Sequence, residues 1–199
     1  MKRFIMSVLI LFMLSLMVFP VAVFADDSSP STRTPFDWLN DEEQAYVTSL
    51  RAHIAGVQAQ VQKARADIAT IILQTQESWY DSLHGEFHAI NKGLDDMAAL
   101  TAPAEFTAIG TQCRDMPDVG LSELDMLAMA STRREALVEA AQMVGHIDGD
   151  LAAVDGALGS LLGSINSRIA DVASRREKAV DAISSLFDSC MERPARLYK

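Results

Sequence analysis

Two long stretches without proline, 36–102 and 118–193, limit what this chain can fold into. Proline breaks helices because its ring removes a backbone N–H and clashes with the preceding turn, so each stretch can form long helices. Apolar residues in the first stretch recur in steps of three and four, which places them on one helix face. These residues are Val47, Leu50, Ile54, Val57, Val61, Ala64, Ile68 and Ile71. No window has the alternation in twos of a strand, and we therefore predict an all-α fold.

The first stretch is predicted to form two helices, over about 41–74 and 78–101. Asn40 and Glu43 have the spacing of a capping box at the start of the first helix. The polar segment 74–78 interrupts the apolar stripe, which resumes at Trp79. The alternative is one uninterrupted helix of about 60 residues, roughly 90 Å long. Pro103 ends the second helix, and a short helix over about 103–112 follows.

The second stretch keeps the helical rhythm from Leu124 to Phe187, but its middle is rich in glycine. The glycines are Gly145, Gly149, Gly156, Gly159 and Gly163. Because a glycine inside a helix costs about 1 kcal/mol relative to alanine, we predict a turn over about 155–164, with Gly145 and Gly149 as tight-packing positions. Close helix packing by glycines seven residues apart is the alternative to the turn. With a turn, residues 37–193 form one domain, an antiparallel up-down four-helix bundle with coiled-coil-like packing. The short helix then lies in the connection between its second and third helices.

The N-terminal segment 1–25 has the three zones of a cleavable signal peptide. Lys2 and Arg3 precede the apolar run 4–19, and 23–25 offers a cleavage site. An uncleaved membrane anchor is the alternative, but this run is shorter than the roughly 20 residues that span a bilayer. We therefore expect an exported protein, periplasmic or extracellular, with no stable membrane insertion after cleavage. Residues 26–36 are predicted to be a flexible polar leader, and 194–199 a C-terminal tail.

Charge disfavours two classes of partner. The chain carries a formal net charge of −10, and loss of Lys2 and Arg3 with the signal peptide makes it −12. Such a surface repels the phosphates of nucleic acids and anionic lipid headgroups. We therefore predict no nucleic-acid partner.

The two cysteines, Cys113 and Cys190, are predicted to form a disulfide. An even cysteine count in an oxidising compartment favours a bridge. If four helices alternate in direction, Cys113 after the second helix and Cys190 at the end of the fourth lie at the same end of the bundle. Two free thiols or an intermolecular bridge are the alternatives.

His84 and His88 are the best candidate metal ligands, because residues four apart are neighbours on one helix face. Asp81 falls on the same stripe, so two imidazoles and a carboxylate could bind Zn²⁺, Cu²⁺ or Ni²⁺. The alternative is an ordinary solvated shoulder of an amphipathic helix.

No motif in the chain indicates catalysis or a bound cofactor. There is no Gly-rich phosphate loop, and no G-x-S-x-G nucleophile elbow. We therefore expect a protein that is not an enzyme and needs no cofactor. Long apolar stripes favour an exported interaction module that docks a protein partner or associates with itself. The alternative function is small-ligand or metal binding by the His84/His88 face.

Overall fold

The structure is a computed structural model that describes residues 33–71, 78–131 and 137–197. The described residues are helical and contain no strand, which confirms the predicted all-α class. A 3-10 helix, Pro35–Trp38, leads into five α-helices that pack against one another. They are α1 (Asp41–Ile71), α2 (Ser78–Ala99), α3 (Thr107–Arg114), α4 (Leu121–Ser131) and α5 (Leu137–Leu197).

The predicted stripe of α1 forms one wall of the core. From Val47 to Ile68 its seven apolar residues are buried, and Leu50 and Ile54 have no solvent exposure. The capping box is also present: the Glu43 N–H donates to Asn40 Oδ1, and the Asn40 N–H donates to Glu43 Oε2, both at 2.9 Å. Local sequence therefore determines where α1 begins and which face it buries.

Helix α2 packs antiparallel to α1. Lys63 binds Glu86 across the pair, and Gly93 lies against Val57 nearer the start of α1. As the residue number rises along α1, the number of its partner on α2 falls. The residues that join the helices, 72–77, include most of the predicted polar interruption and lie outside the described residues.

The connection from α2 to α5 is largely helical. A 3-10 turn, Ala104–Phe106, runs into α3, where a short helix over about 103–112 is predicted. The side chain of Asn91 then holds the segment before α4 by accepting from the Val119 N–H and donating to the Val119 carbonyl, both at 2.9 Å. Phe106 and Leu124 extend the core beneath this connection.

The predicted turn over 155–164 is wrong, because α5 is one continuous helix of 61 residues. The alternative, tight packing at the glycines, is wrong as well. All five glycines are exposed, and a Cβ added at any of them meets nothing within 4 Å. Their cost in helix propensity is offset by the burial of the opposite face, which includes Leu151, Leu158 and Ile165.

Helix α5 also runs antiparallel to α1. Arg65 donates to Asp148 at 2.7 Å, and Arg51 donates to Asn166 at 2.7 Å. As the residue number falls along α1, the residue number of the partner on α5 rises. The structure therefore does not contain the predicted third and fourth helices on either side of a turn. It has the short helices α3 and α4, followed by the long helix α5.

Some predictions concern residues outside the described ranges. They are the signal peptide 1–25, most of the leader 26–36 and the last part of the tail 194–199. Among the helices of the described residues, none is long and apolar enough to cross a membrane.

Candidate interaction surface

Helix α5 continues far beyond the core that it helps to form. Its last buried residues are Val172 and Ala173, whereas every residue over 177–191 is exposed. The reason is length: α1 has 31 residues and α5 has 61, so α5 extends beyond the level at which α1 begins. We call residues 177–197 the α5 extension.

The core-facing stripe of α5 continues onto the extension without a change of phase. Ile165, Ile169 and Val172 are buried, and the same steps of three and four lead through 176 to Val180 and Ile183. The exposed residues on this face are Val180, Ile183, Leu186, Phe187, Cys190 and Met191, which we call the C-terminal stripe.

The C-terminal stripe is apolar and open to solvent. Ile183, Leu186, Phe187 and Met191 are 67–68% exposed, and Val180 is 47% exposed. The remaining faces of the extension carry Lys178, Asp181, Ser185 and Asp188. A contiguous apolar patch with polar borders marks an interaction site more often than a chance exposure of single residues.

An ion pair between a half-buried arginine and a buried carboxylate marks the level at which the core ends. Arg176 donates to both carboxylate oxygens of Glu43 and to the Trp38 carbonyl, at 2.6–2.8 Å. Although burial raises the pKa of the Glu43 carboxyl, hydrogen bonds from Arg176 and the Asn40 backbone outweigh it and hold that pKa below its ordinary value. The base of the extension is therefore tied to the start of α1.

A second ion-pair cluster holds α5 to the 3-10 turn before α3. Glu105 accepts from Arg168 at 2.6 Å and from Arg175 at 2.7 Å, and Arg168 also binds Asp171. The hydrogen bond from Arg175 is the main cause that lowers the pKa of Glu105. The Arg168–Glu105 and Arg176–Glu43 pairs join residues 63 and 133 positions apart in the sequence.

One sequence signal could have identified the ion pair with Glu43. Arg176 falls on the apolar stripe, four residues after Val172 and four before Val180. A charged residue in such a position needs a buried partner. Nothing local in the sequence identifies that partner, because Glu43 lies 133 residues away.

The predicted Cys113–Cys190 bridge is not formed. Both thiols are free; Cys113 is buried, and Cys190 is exposed. Thr111 and Gln112, beside Cys113, share a groove with Ala157 and Ser160 of α5. Cys190 lies 30 residues beyond Ser160 on a continuous helix, which corresponds to about 45 Å. A disulfide needs Cα atoms within about 7 Å. Cys190 does not lie beside Cys113, because α5 continues as one helix and does not turn back.

The candidate metal ligands are exposed on α2. His84 and His88 lie one turn apart, and the His84 ring lies 5.7 Å from the ring of Tyr80, whose hydroxyl donates to Asp125. Among the described residues, no group of three or more His, Cys, Asp or Glu side chains is placed to hold a metal ion. Metal binding through His84, His88 and Asp81 stays a prediction. Zn²⁺ titration of a His84→Ala/His88→Ala variant beside the unmodified chain tests it.

Comparison with known proteins adds no family. No protein-family model, no curated protein and no solved structure matches the chain.

Proposed function

We propose that this protein is an exported helical interaction module that binds a protein partner, or a second copy of itself, through the C-terminal stripe. One observation carries the proposal: the buried face of α5 continues onto 177–191, where no described residue covers it. The polar faces beside it favour a helix or helical groove as the partner.

The energetics support docking at this surface. Complete burial of a Val, Leu, Ile or Phe side chain contributes about 1.5–3 kcal/mol relative to leaving it exposed. Ile183, Leu186 and Phe187 each keep about two-thirds of their surface in water, so covering them would recover about 1–2 kcal/mol each. The ion pairs at Glu43 and Glu105 support a rigid base, which lowers the entropy lost on binding.

The body that carries the extension is proposed to be an up-down four-helix arrangement in which α3 and α4 together form the third member. The antiparallel pairing of α1 with both α2 and α5 supports it. In this arrangement α5 is the fourth member, and it is the longest of the described helices.

The export part of the proposal rests on segment 1–25 and the charge of the remaining chain. The exported form is expected to begin at Asp26, and an intact mass without residues 1–25 would support this. Leu11→Arg should block cleavage by breaking the apolar run, whereas Ser31→Arg in the leader should not. An exported chain that retains its N-terminus would contradict cleavage.

Site-specific photo-crosslinking in the producing cell tests the docking surface. A photoreactive side chain placed at Ile183 or Phe187 should form a protein adduct, because both positions lie on the C-terminal stripe. The matched control is Ser185, which is exposed on another face of the same turns. Adducts from 183 and 187 that disappear in a Leu186→Asp background would support the proposal. Absence of adducts at both stripe positions, or equal adducts at 185, would overturn it.

A further inference from the structure

We propose that Glu43 and Glu105 form a two-sided clamp on α5, which fixes the direction of the α5 extension and releases it when both carboxylates are protonated. We call these two side chains the carboxylate clamp. The inference rests on the proposed function and adds the regulation of the same surface, because the clamp determines the direction in which the C-terminal stripe is presented. Three observations carry it: the hydrogen bonds from 168–176, the sides of α5 on which they lie, and the apolar contacts at the same level.

The hydrogen bonds that join this part of α5 to other elements converge on two carboxylates. Arg176 donates one bond to each carboxylate oxygen of Glu43. Arg168 and Arg175 each donate one bond to Oε2 of Glu105. The two further bonds from these arginines end on backbone carbonyl oxygens. Protonation would weaken the four bonds to carboxylates and leave the two bonds to carbonyls, because a guanidinium binds an ionised acceptor more strongly than a neutral one.

The carboxylate clamp holds α5 from two sides. Arg168 and Arg175 are seven residues apart, which is about two helical turns, so they lie on one side of the helix. Arg176 lies about 100° further around the helix, where it reaches α1 and the 3-10 helix Pro35–Trp38. A helix that is held at one point can pivot about that point. A helix held on two sides keeps one direction.

The apolar contacts at the same level attach α5 without fixing its direction. Ile169, Val172 and Ala173 are buried there, and their burial does not depend on pH. Burial of apolar surface is non-directional, whereas a bond between a guanidinium and a carboxylate has a defined geometry. We therefore expect α5 to stay on the body after protonation while its extension varies in direction. A tilt of about 20° at Arg176 would move Cys190 by roughly 7 Å.

The direction of the pH effect follows from the groups that surround each carboxyl. Burial raises the pKa of Glu43, but the hydrogen bonds from Arg176 and the Asn40 backbone outweigh it and lower that pKa. The hydrogen bond from Arg175 is the main cause that lowers the pKa of Glu105. Both folded pKa values thus lie below the ordinary value of 4.5. The clamp is complete at pH 7 and is lost as the pH falls through these folded values.

The other charged groups near the clamp do not join α5 to another element. Asp171 binds Arg168 and Arg175, but all three residues belong to α5. On the 3-10 helix, Asp37 accepts from the backbone N–H and the hydroxyl of Thr34. The remaining charged side chains at this level are exposed, and they are Arg33, Asp41, Glu42, Glu177 and Lys178. Protonation should therefore act on the direction of α5 through Glu43 and Glu105.

Spin-label distances across the clamp test the proposal. One label is attached to the exposed Cys190 thiol, and the other to Thr48→Cys at an exposed position of α1. Labelling of the folded chain leaves Cys113 unmodified because that thiol is buried. At pH 7 the distance distribution should be narrow. A control pair, Thr48→Cys with Ala153→Cys in a Cys190→Ser background, reports on the body alone, since Ala153 lies on the part of α5 that packs in the core.

Neutral variants of the clamp should release the extension at pH 7. Glu43→Gln/Glu105→Gln should at least double the width of the distribution between positions 48 and 190 and leave the control pair unchanged. The matched variant Asp41→Asn/Glu42→Gln also removes two carboxylates but touches neither clamp residue, so its distribution should stay narrow. A narrow distribution in Glu43→Gln/Glu105→Gln would overturn the inference. Equal broadening of the control pair would also overturn it, because the whole body would then have loosened.

Acid titration of the unmodified chain supplies the second test. The distribution between positions 48 and 190 should stay narrow from pH 7 to about pH 5 and broaden below pH 4.5, before the control pair changes. Broadening of both pairs together would show global unfolding and contradict a clamp. If the clamp variants keep a narrow distribution while Ile183 and Phe187 photo-crosslink to a partner, this inference fails and the proposed function stands. If the variants release the extension but neither position forms adducts, the proposed function fails instead.

Discussion

The Arg176 guanidinium binds Glu43 through two hydrogen bonds, Nη1 to Oε2 at 2.7 Å and Nη2 to Oε1 at 2.8 Å. The same carboxylate accepts the backbone N–H of Asn40 and so also caps α1. One buried side chain thus begins one helix and holds another that passes it 133 residues later in the sequence. Beyond this contact every residue of α5 from 177 to 191 is exposed, and the extension begins.

Replacing Glu43 should destabilise the fold. Glu43→Gln removes the charged acceptor of two hydrogen bonds while keeping the size of the side chain, and we expect a loss of about 2–3 kcal/mol in the free energy of unfolding. The exposed neighbour Glu42 is the control, since Glu42→Gln should change stability by less than about 0.5 kcal/mol. Urea unfolding at pH 7 measures both. Equal stability of the two variants would show that the ion pair contributes nothing.

The contribution of Glu43 should depend on pH in a defined direction. Its folded pKa is held below the ordinary value of 4.5, so the ionised form stabilises the fold above that pH. This stability is lost as the pH falls through the folded pKa. The difference in stability between the unmodified chain and Glu43→Gln should therefore be constant from pH 7 to about pH 5 and shrink below pH 4.5. A difference that grows on acidification would contradict this assignment.

Two glycine-to-alanine substitutions should have opposite effects. A Cβ at Gly93 would collide with Cγ2 of Val57, a stiff β-branched side chain at the α1–α2 contact. Gly93→Ala should therefore destabilise the protein by about 1–3 kcal/mol. Gly156→Ala meets open space in the middle of α5 and should stabilise it by about 0.5–1 kcal/mol. Thermal unfolding measures both changes, and marked destabilisation by Gly156→Ala would indicate a turn there after all.

The two thiols should differ in reactivity. In the native protein a thiol reagent should modify Cys190 within the time of mixing, because it is exposed. Cys113 should react only after unfolding, since burial both blocks access and raises the pKa of its thiol. Mass spectrometry of the labelled chain counts the modified sites. An intact mass two hydrogens below that of the reduced chain, with neither thiol reactive, would show that the intrachain bridge forms and would contradict this prediction.

The sequence was a good guide wherever the information is local. The stripe from Val47 to Ile68, the Asn40–Glu43 cap and the short helix before Arg114 are all present. Helical periodicity and capping depend on residues three or four apart, so a short window contains the whole signal.

Local information failed at Gly156 and at Cys190. The glycine run suggested a turn because each glycine weakens an isolated helix, but the buried face formed by Leu151, Leu158 and Ile165 outweighs that cost. The predicted bridge between Cys113 and Cys190 depended on this turn, and without the turn both thiols are free. Both errors came from the low helix propensity of glycine, which predicted a turn although packing of the buried face keeps α5 helical.

By itself, the sequence determined the all-α class, the apolar face of each long helix and the unbroken phase of the stripe through Val180 and Ile183. Only the tertiary structure decided which part of that stripe is covered. Burial depends on how many helices accompany α5 along its length, and the core ends at the Arg176–Glu43 contact because α1 begins there. An identical pattern of residues is therefore core on one side of Arg176 and open surface on the other.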